Sequence, residues 1–532
     1  MARRTGFPRA WFGRLTVRAR VAVAVLCALA LAAAGFALSG PIARLADPPC
    51  LRGAATTVLH EGTNHECVGI TDGAFVFEPG LAAVEAEIRT ADQRVVRDHP
   101  HDYVSVVMLL PISTAPSSIL TMTNTVEQVR GAFVAQSHAN DGNVDGDAPY
   151  IQLLIGSDGY QANQSAAAAA IIEGDTGRHI AAVAGLGLSL PGTQDAVERL
   201  TSRQIPVFGA TVTADTYDDI KDFVRVAPDN VNEAEVALDY VADRFPRAVL
   251  VEDENGGDAY DATLVKGFRR FSARSGHRVV DIETYNTTDR DRPRQSSQAL
   301  AQAESDVATR ISQMSTNICA AQPAVVLFAG RGRDLAGLLH SFSGVCLDKD
   351  ITIVSGDDVT NVSMTAQVRH DLGGRVTVEY AGVADPDEWR AASAGHPPAA
   401  DRTAISDGEQ GYATFARAYG ALAGGPGFTG ASLTDGNTMM AYDSVLTAVS
   451  AIRLTEQDQP LPAAVASELG ALQGARRVLG SSGAIGFTAD YRTSAVGSNP
   501  VGKAIPILRL TPGTGGPQVL ALKWPDGRPS DF

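Results

Sequence analysis

An apolar run that stops abruptly on glycine, and then recurs after one helix, is what most narrows the fold of this chain. Ile180–Ala184 carries no charge and stops at Gly185. Ile205–Phe208 is a second such run, closed by Gly209, Ala210 and Thr211. Between them, Thr193–Arg203 places Ala196, Val197 and Leu200 at helical spacing. Apolar runs without polar alternation fit strands buried on both faces of a parallel sheet. Gly185 and Gly187 let the backbone turn sharply without a Cβ penalty. The stretch reads as one βαβ unit, with Ser189, Ala210 and Thr211 just past the carboxyl ends of two parallel strands. Ligands of open α/β sheets bind at that edge.

The same pattern runs on through the chain. Val104–Leu110 predicts a strand ended by Pro111-Ile112-Ser113, then a helix over Val126–His138, a strand over Ile151–Ile155 and a helix over Ala162–Ile172. Past Arg225, a helix over Val231–Arg244 precedes strands at Ala248–Val251, Arg278–Glu283, Ala324–Phe328 and Ile351–Val354. Three of these strands end in Gly-containing loops: Asn255-Gly256-Gly257-Asp258, Ala329-Gly330-Arg331-Gly332 and Ser355-Gly356-Asp357-Asp358. Arg375–Tyr380 predicts a further strand, Asp385–Asp407 a surface excursion, and Gly411–Leu422 and Asn437–Ile452 two helices. Before all this, residues 50–102 form an N-terminal extension whose Leu81–Arg89 repeats apolar residues at helical spacing. Asn286–Ser297 is polar and rich in Arg and Asp, and reads as a mobile loop.

Five motifs stand in a telling order: Pro111-Ile112-Ser113, Gly185 to Ser189, Gly209-Ala210-Thr211, Phe223 to Asn230, and Met440-Ala441-Tyr442-Asp443-Ser444-Val445. Together they resemble the type I periplasmic-binding fold, in the branch of the substrate-binding proteins of branched-chain amino-acid and amide ABC transporters. The resemblance runs from about Tyr103 to about Leu510. It implies two doubly wound parallel-sheet lobes joined by three crossovers. Lobe one would be 103–226 with 383–485, lobe two 227–382 with 486–515, and 516–532 a tail. It further implies a small polar solute held between the lobes, an ABC permease as partner, and no cofactor. The ligand residues would be Ser113, Ser189, Ala210 and Thr211 from lobe one, and Gly256, Arg331, Asp357 and Asp358 from lobe two. The alternatives are a membrane-tethered sensor of the same fold and an extracytoplasmic hydrolase. The family's ligand-covering Tyr-Gly pair falls on Gly256-Gly257, so its ring is missing. A ligand other than a simple aliphatic amino acid is therefore expected. Arg331 and Arg333 would take its anionic group, and Asp357 and Asp358 an amine or hydroxyls.

Other chemistries lack the residues they need. His60 and His65, in the run ending at Cys67, are five apart, whereas a helical zinc pair needs four. Gly185-Leu186-Gly187 lacks the third glycine of a dinucleotide loop, because Leu190 stands there. Ser189 has no elbow glycine after it, and His179 lies at the opposite sheet edge, so a serine nucleophile has no base. A net charge of −16 weighs against nucleic acid.

The first 20 residues hold Arg3, Arg4, Arg9, Arg14, Arg18 and Arg20 and no acid, and Val21–Leu38 is unbroken apolar chain. A run of roughly 18 residues suits a membrane anchor or a long signal segment, with the basic flank inside and the remainder outside. Segment 21–40 is expected to anchor the chain in the cell membrane, or to be cleaved after Ser39 with secretion of the rest. Cys27 does not fit a lipidated cysteine, because Leu26 before it is not small and apolar residues follow. In an oxidising compartment the four remaining cysteines predict two disulfides, Cys50–Cys67 and Cys319–Cys346. The second pair lies at the amino-terminal edge of its sheet. The apolar run ends before any predicted core element. A chain starting near Asp47 should therefore fold and stay monodisperse in size-exclusion chromatography without detergent; solubility only in detergent would contradict this.

Overall fold

A computed structural model of the chain describes residues 57–61, 66–112, 118–142, 144–292, 296–346, 349–490, 495–513 and 515–529. Two seven-stranded sheets carry the architecture. The first contains β1 (Thr57–Glu61), β2 (Cys67–Thr71), β3 (Tyr103–Leu110), β4 (Tyr150–Ser157), β5 (Ile180–Gly185), β6 (Val207–Gly209) and β7 (Phe223–Arg225), in the order β1-β2-β4-β3-β5-β6-β7. From β4 to β7 the strands are parallel. All eight residues of β3 and all six of β5 are buried, as uninterrupted apolar runs require.

The second sheet contains β8 (Arg247–Asp253), β9 (Arg278–Tyr285), β10 (Val325–Ala329), β11 (Ile351–Ser355) and β12 (Val376–Ala381), all parallel. Two hairpins follow in the chain, β13 (Val478–Gly480) with β14 (Gly483–Ile485), and β15 (Phe487–Asp490) with β16 (Ala495–Pro500). Then β17 (Ile505–Arg509) and β18 (Gln518–Lys523) add antiparallel strands beyond β12. The chain crosses between lobes after β7, after β12, and between β14 and β17. Helix Asn437–Leu454 returns to lobe one and packs on Met122–Asn140. A Cβ on Gly131 would stand 2.1 Å from the Thr438 carbonyl oxygen, so only glycine permits this approach.

Several expectations change. Residues 50–102 are more than a covering helix: β1 and β2 extend the first sheet antiparallel to β4, with Ile70 opposite Gly156. The helix there runs Ala82–Asp98, and Val84 and Ile88 join the lobe-one core. The expected tail from 516 supplies β18, so it belongs to lobe two. Within the expected surface excursion, Trp389 is only 3% exposed and donates its indole N–H to the Ser481 carbonyl at 3.1 Å. A short helix, Thr288–Asp291, occupies part of the expected loop. Cys319 and Cys346 are bridged, with Cα atoms 5.9 Å apart. Cys67 is also disulfide-bonded. Cys50, the 21–40 segment and residues 62–65 lie outside the described residues. Among the described residues no helix is long and apolar enough to cross a membrane.

Arg225, expected at a hinge, is fully buried where the chain leaves lobe one. It donates to Asn499 Oδ1 at 2.7 Å, to Asp218 at 2.5 Å and to the Ala214 carbonyl at 2.6 Å. Asn499 in turn donates to Asp218 and to Asp229, at 3.0 and 3.1 Å. One guanidinium thereby ties the first crossover to the third.

Glu85 lies on the helix Ala82–Asp98 with 0% exposure, and neither carboxylate oxygen has a hydrogen-bond partner. Burial pushes its carboxyl up to about 8. Below the ordinary value of 4.5 both folded and unfolded chains hold the proton, so Glu85 imposes no penalty. Between there and about pH 8 the unfolded chain ionises while the folded chain keeps the proton, so stability falls as pH rises. Glu85→Gln should therefore match the natural chain at pH 4 and exceed it by a few kcal/mol, roughly, at pH 8. Urea denaturation at the two pH values measures this, and an equal offset at both would contradict it.

Candidate functional site

The carboxyl ends of β5 and β6 face those of β8, β10 and β11. On the lobe-one side, Gly185 at φ 99° and Leu186 at φ 61° turn the chain out of β5. The loops then bind each other. Ala210 N–H donates to the Gly185 carbonyl at 2.6 Å, and Thr211 Oγ1 to that of Gly187 at 3.1 Å. Ser189 Oγ accepts from the N–H groups of Thr213 and Ala214 at 3.0 and 3.2 Å. Ser189 and Ala210 thus build the wall from behind, and the hydroxyl of Ser189 caps a turn.

On the lobe-two side Arg331 sits 3% exposed just beyond β10. Its guanidinium forks onto Asp258, with Nε and Nη2 each 2.8 Å from a carboxylate oxygen. Nη1 donates to Asp358 at 3.0 Å. The Tyr260 ring lies beneath it, 4.4 Å from guanidinium carbon to centroid. Asp358 also accepts from Gly332 N–H at 2.6 Å and from Asn361 at 2.9 Å. Burial alone would pull the guanidinium down, but the charges of Asp258 and Asp358 outweigh it and hold Arg331 well above its ordinary value. Asp357 is pushed up to about 7, by burial first and then by the charge of Asp358. Glu233, buried beside it, is also held well above its ordinary value, by burial and then by the charge of Asp357, and its Oε2 accepts from Asp357 N–H at 3.1 Å. Thr213 Oγ1 reaches across from lobe one to Asp357 at 3.4 Å.

Of the expected ligand residues, Thr211, Arg331, Asp357 and Asp358 therefore come together around one space between the lobes. That space is about 10 Å³. Gly256 stands apart on an exposed loop, where an added Cβ would meet nothing within 4 Å. Ser113 lies outside the described residues. The expectation that Arg331 and Arg333 await an anion is corrected: Arg331 is held by two aspartates of its own lobe, and Arg333 donates to Asp291 at 2.5 Å. The missing aromatic ring is also corrected. Tyr260, in the first turn of the helix Ala259–Phe268, is buried in the wall, and its hydroxyl accepts from Asp358 N–H at 3.2 Å. Among the described residues that line the space there is no histidine. A second, larger cavity of about 440 Å³ lies to the side, also between the lobes.

Sequence reasoning also missed the task of Asp443. From the helix Asn437–Leu454 its carboxylate accepts the N–H groups of Ser481 and Ser482 at 2.5 and 3.0 Å, and both of their hydroxyls. Lys503 Nζ closes the cluster on Ser482 Oγ at 2.5 Å. A Cβ on Gly480 would stand 2.6 Å from this carboxylate, which explains the glycine before the Ser-Ser turn. The cluster locks the β13–β14 turn to the segment leading into β17.

Comparison with solved structures places the fold. A leucine binding protein, LivK, from Thermotoga maritima is 15% identical; the match covers 80% of this chain and 99% of that one, with a TM-score of 0.53. An ABC transporter substrate-binding protein from Desulfitobacterium hafniense is 16% identical, covering 79% and 100%, with a TM-score of 0.52. An R. palustris ABC transporter solute-binding protein in complex with 4-hydroxybenzoate is 13% identical, covering 81% and 99%, also with a TM-score of 0.52. No protein-family model matches the chain, and no curated protein does. The chain has the two-lobed α/β fold of these binding proteins, as its sequence motifs led us to expect.

Removing Arg331 leaves Asp258 and Asp358 buried without a counter-ion. Arg331→Ala should therefore cost about 3–5 kcal/mol in chemical denaturation. A loss below about 1 kcal/mol would mean that water or a rearranged side chain replaces the guanidinium.

Proposed function

We propose that this chain is an extracytoplasmic solute-binding protein whose lobes close on a small polar ligand, for ABC-type uptake. The observation that carries the reading is geometric. Two parallel sheets present their carboxyl edges to one another across three crossovers, and the first and third crossovers share the Arg225–Asn499 junction. Such a hinge lets two rigid bodies close around a solute. Binding between lobes needs no covalent step, and the role is one of capture rather than catalysis. The run Val21–Leu38 supports a position at the outer face of the cell membrane, either anchored or released by cleavage. An anchored form favours the second reading, a tethered extracellular sensor with the same fold.

A thermal-shift screen over amino acids, amides, sugars and nucleosides, followed by small-angle scattering on each hit, tests capture. At least one solute should raise the melting temperature and lower the radius of gyration. A screen without a hit, or hits with unchanged dimensions, would contradict the reading. Affinity purification from detergent-solubilised membranes then separates the two uses: a co-purifying permease and ATPase support uptake, and their absence supports the sensor.

A further inference from the structure

The space expected to hold ligand is about 10 Å³, close to the volume needed for one water. Opening the lobes parts Thr213 from the Asp357 carboxylate but leaves the Arg331 guanidinium paired. Every partner of Arg331, from Asp258 to Asp358, belongs to lobe two and moves with it. The lobe-one groups are equally engaged with one another, Thr211 with Gly187 and Ser189 with Thr213 and Ala214. A solute arriving there would have to displace buried ion pairs.

The cavity beside it is of a different character. Its volume of about 440 Å³ falls within the usual range for small-molecule sites, roughly 300–1,000 Å³. Ile119, Ala162, Ala166 and Leu190 line the lobe-one side, and Asn255 and Thr288 the lobe-two side. The ions at its border already have counter-ions. Asp258 holds Arg331, Asp291 holds Arg333 at 2.5 Å, and Arg292 holds Asp289 at 2.7 Å. The Arg292–Asp289 pair is exposed at both ends, so an ionised head group gains little from it, and the buried cation Arg331 is already matched by Asp258. Asp195, exposed on the rim, adds a negative field that weighs against anions.

We infer that the ligand chamber of this protein is this lateral cavity, displaced from the sealed inner cleft, and that it takes a small uncharged amphipathic solute. Its occupant has an apolar ring or short alkyl body for the Ile119–Leu190 side and an amide N–H or hydroxyl to donate to Thr288 Oγ1, whose own proton goes to Asn255 Oδ1 at 3.3 Å. The inference rests on the solute-binding reading and names the chemical class within it.

Calorimetry on the folded chain with 4-hydroxybenzamide, benzyl alcohol, 4-hydroxybenzoate and leucine tests it. 4-Hydroxybenzamide should bind at least ten-fold more tightly than 4-hydroxybenzoate, which differs by the charged head, and leucine should not bind. Ala166→Trp and Thr288→Trp fill the chamber from opposite lobes. Both positions are exposed, so each variant should keep its melting temperature and lose at least ten-fold in affinity. Tighter binding of 4-hydroxybenzoate or leucine overturns the solute class. Binding that survives both fillings overturns the location. If neither neutral probe binds while the wider solute screen gives a hit, the chamber assignment fails and capture stands; if that screen is also empty, both fail.

Discussion

A single guanidinium, buried between two carboxylates, decides what the cleft of this protein can do. Taking Arg331 out of water would cost several kcal/mol without partners, so the fold supplies them with near-ideal geometry. Asp258 meets the fork side-on, Asp358 takes the remaining Nη1, and Tyr260 lies under the plane. Asp258 can do this because it is the N-cap of the helix Ala259–Phe268, where its Oδ1 also accepts Tyr260 N–H at 3.1 Å. Asp358 is fixed by the Gly332 amide. Three loops at the ends of β8, β10 and β11 are thereby joined into one rigid face. That face meets lobe one at Thr213, whose Oγ1 lies 3.4 Å from Asp357.

Lobe one and the hinge are organised on the same principle, with buried polar groups that answer one another. Asp443 gathers four donors from one two-serine turn and holds β13 and β14 in place. Arg225 ties the exit of β7 to the β15–β16 hairpin. Asp443 stiffens lobe one, and Arg225 joins two of the crossovers about which the proposed closure would turn. In the lateral chamber proposed for solute, what remains once the charges are paired is apolar surface edged with amide and hydroxyl groups.

The parts that could be read from the sequence were those encoded locally. Apolar runs stopped by glycine marked β5, β6, β10 and β11, one stopped by Pro111 marked β3, and their terminal loops brought Thr211, Arg331, Asp357 and Asp358 to the cleft. The extension was harder to read. The run Cys67–Thr71 is five residues long and contains Gly69, too short to show alternation, so only its pairing with β4 makes it a strand. Tyr260 escaped because counting along the chain placed the expected ring at Gly256-Gly257, whereas a tyrosine in the next helical turn covers the same wall. The pairing of Arg331 spans 73 residues to Asp258 and 27 to Asp358. No local pattern shows that three ionised loop residues will neutralise one another instead of a ligand.

A crystal structure of the folded chain grown with 4-hydroxybenzamide tests the central claim most directly. The account predicts density for the amide in the lateral chamber, between Ala166 and Thr288, with the Arg331 guanidinium still forked onto Asp258. Density in the inner cleft, with Arg331 turned away from Asp258 and onto the bound molecule, would contradict it.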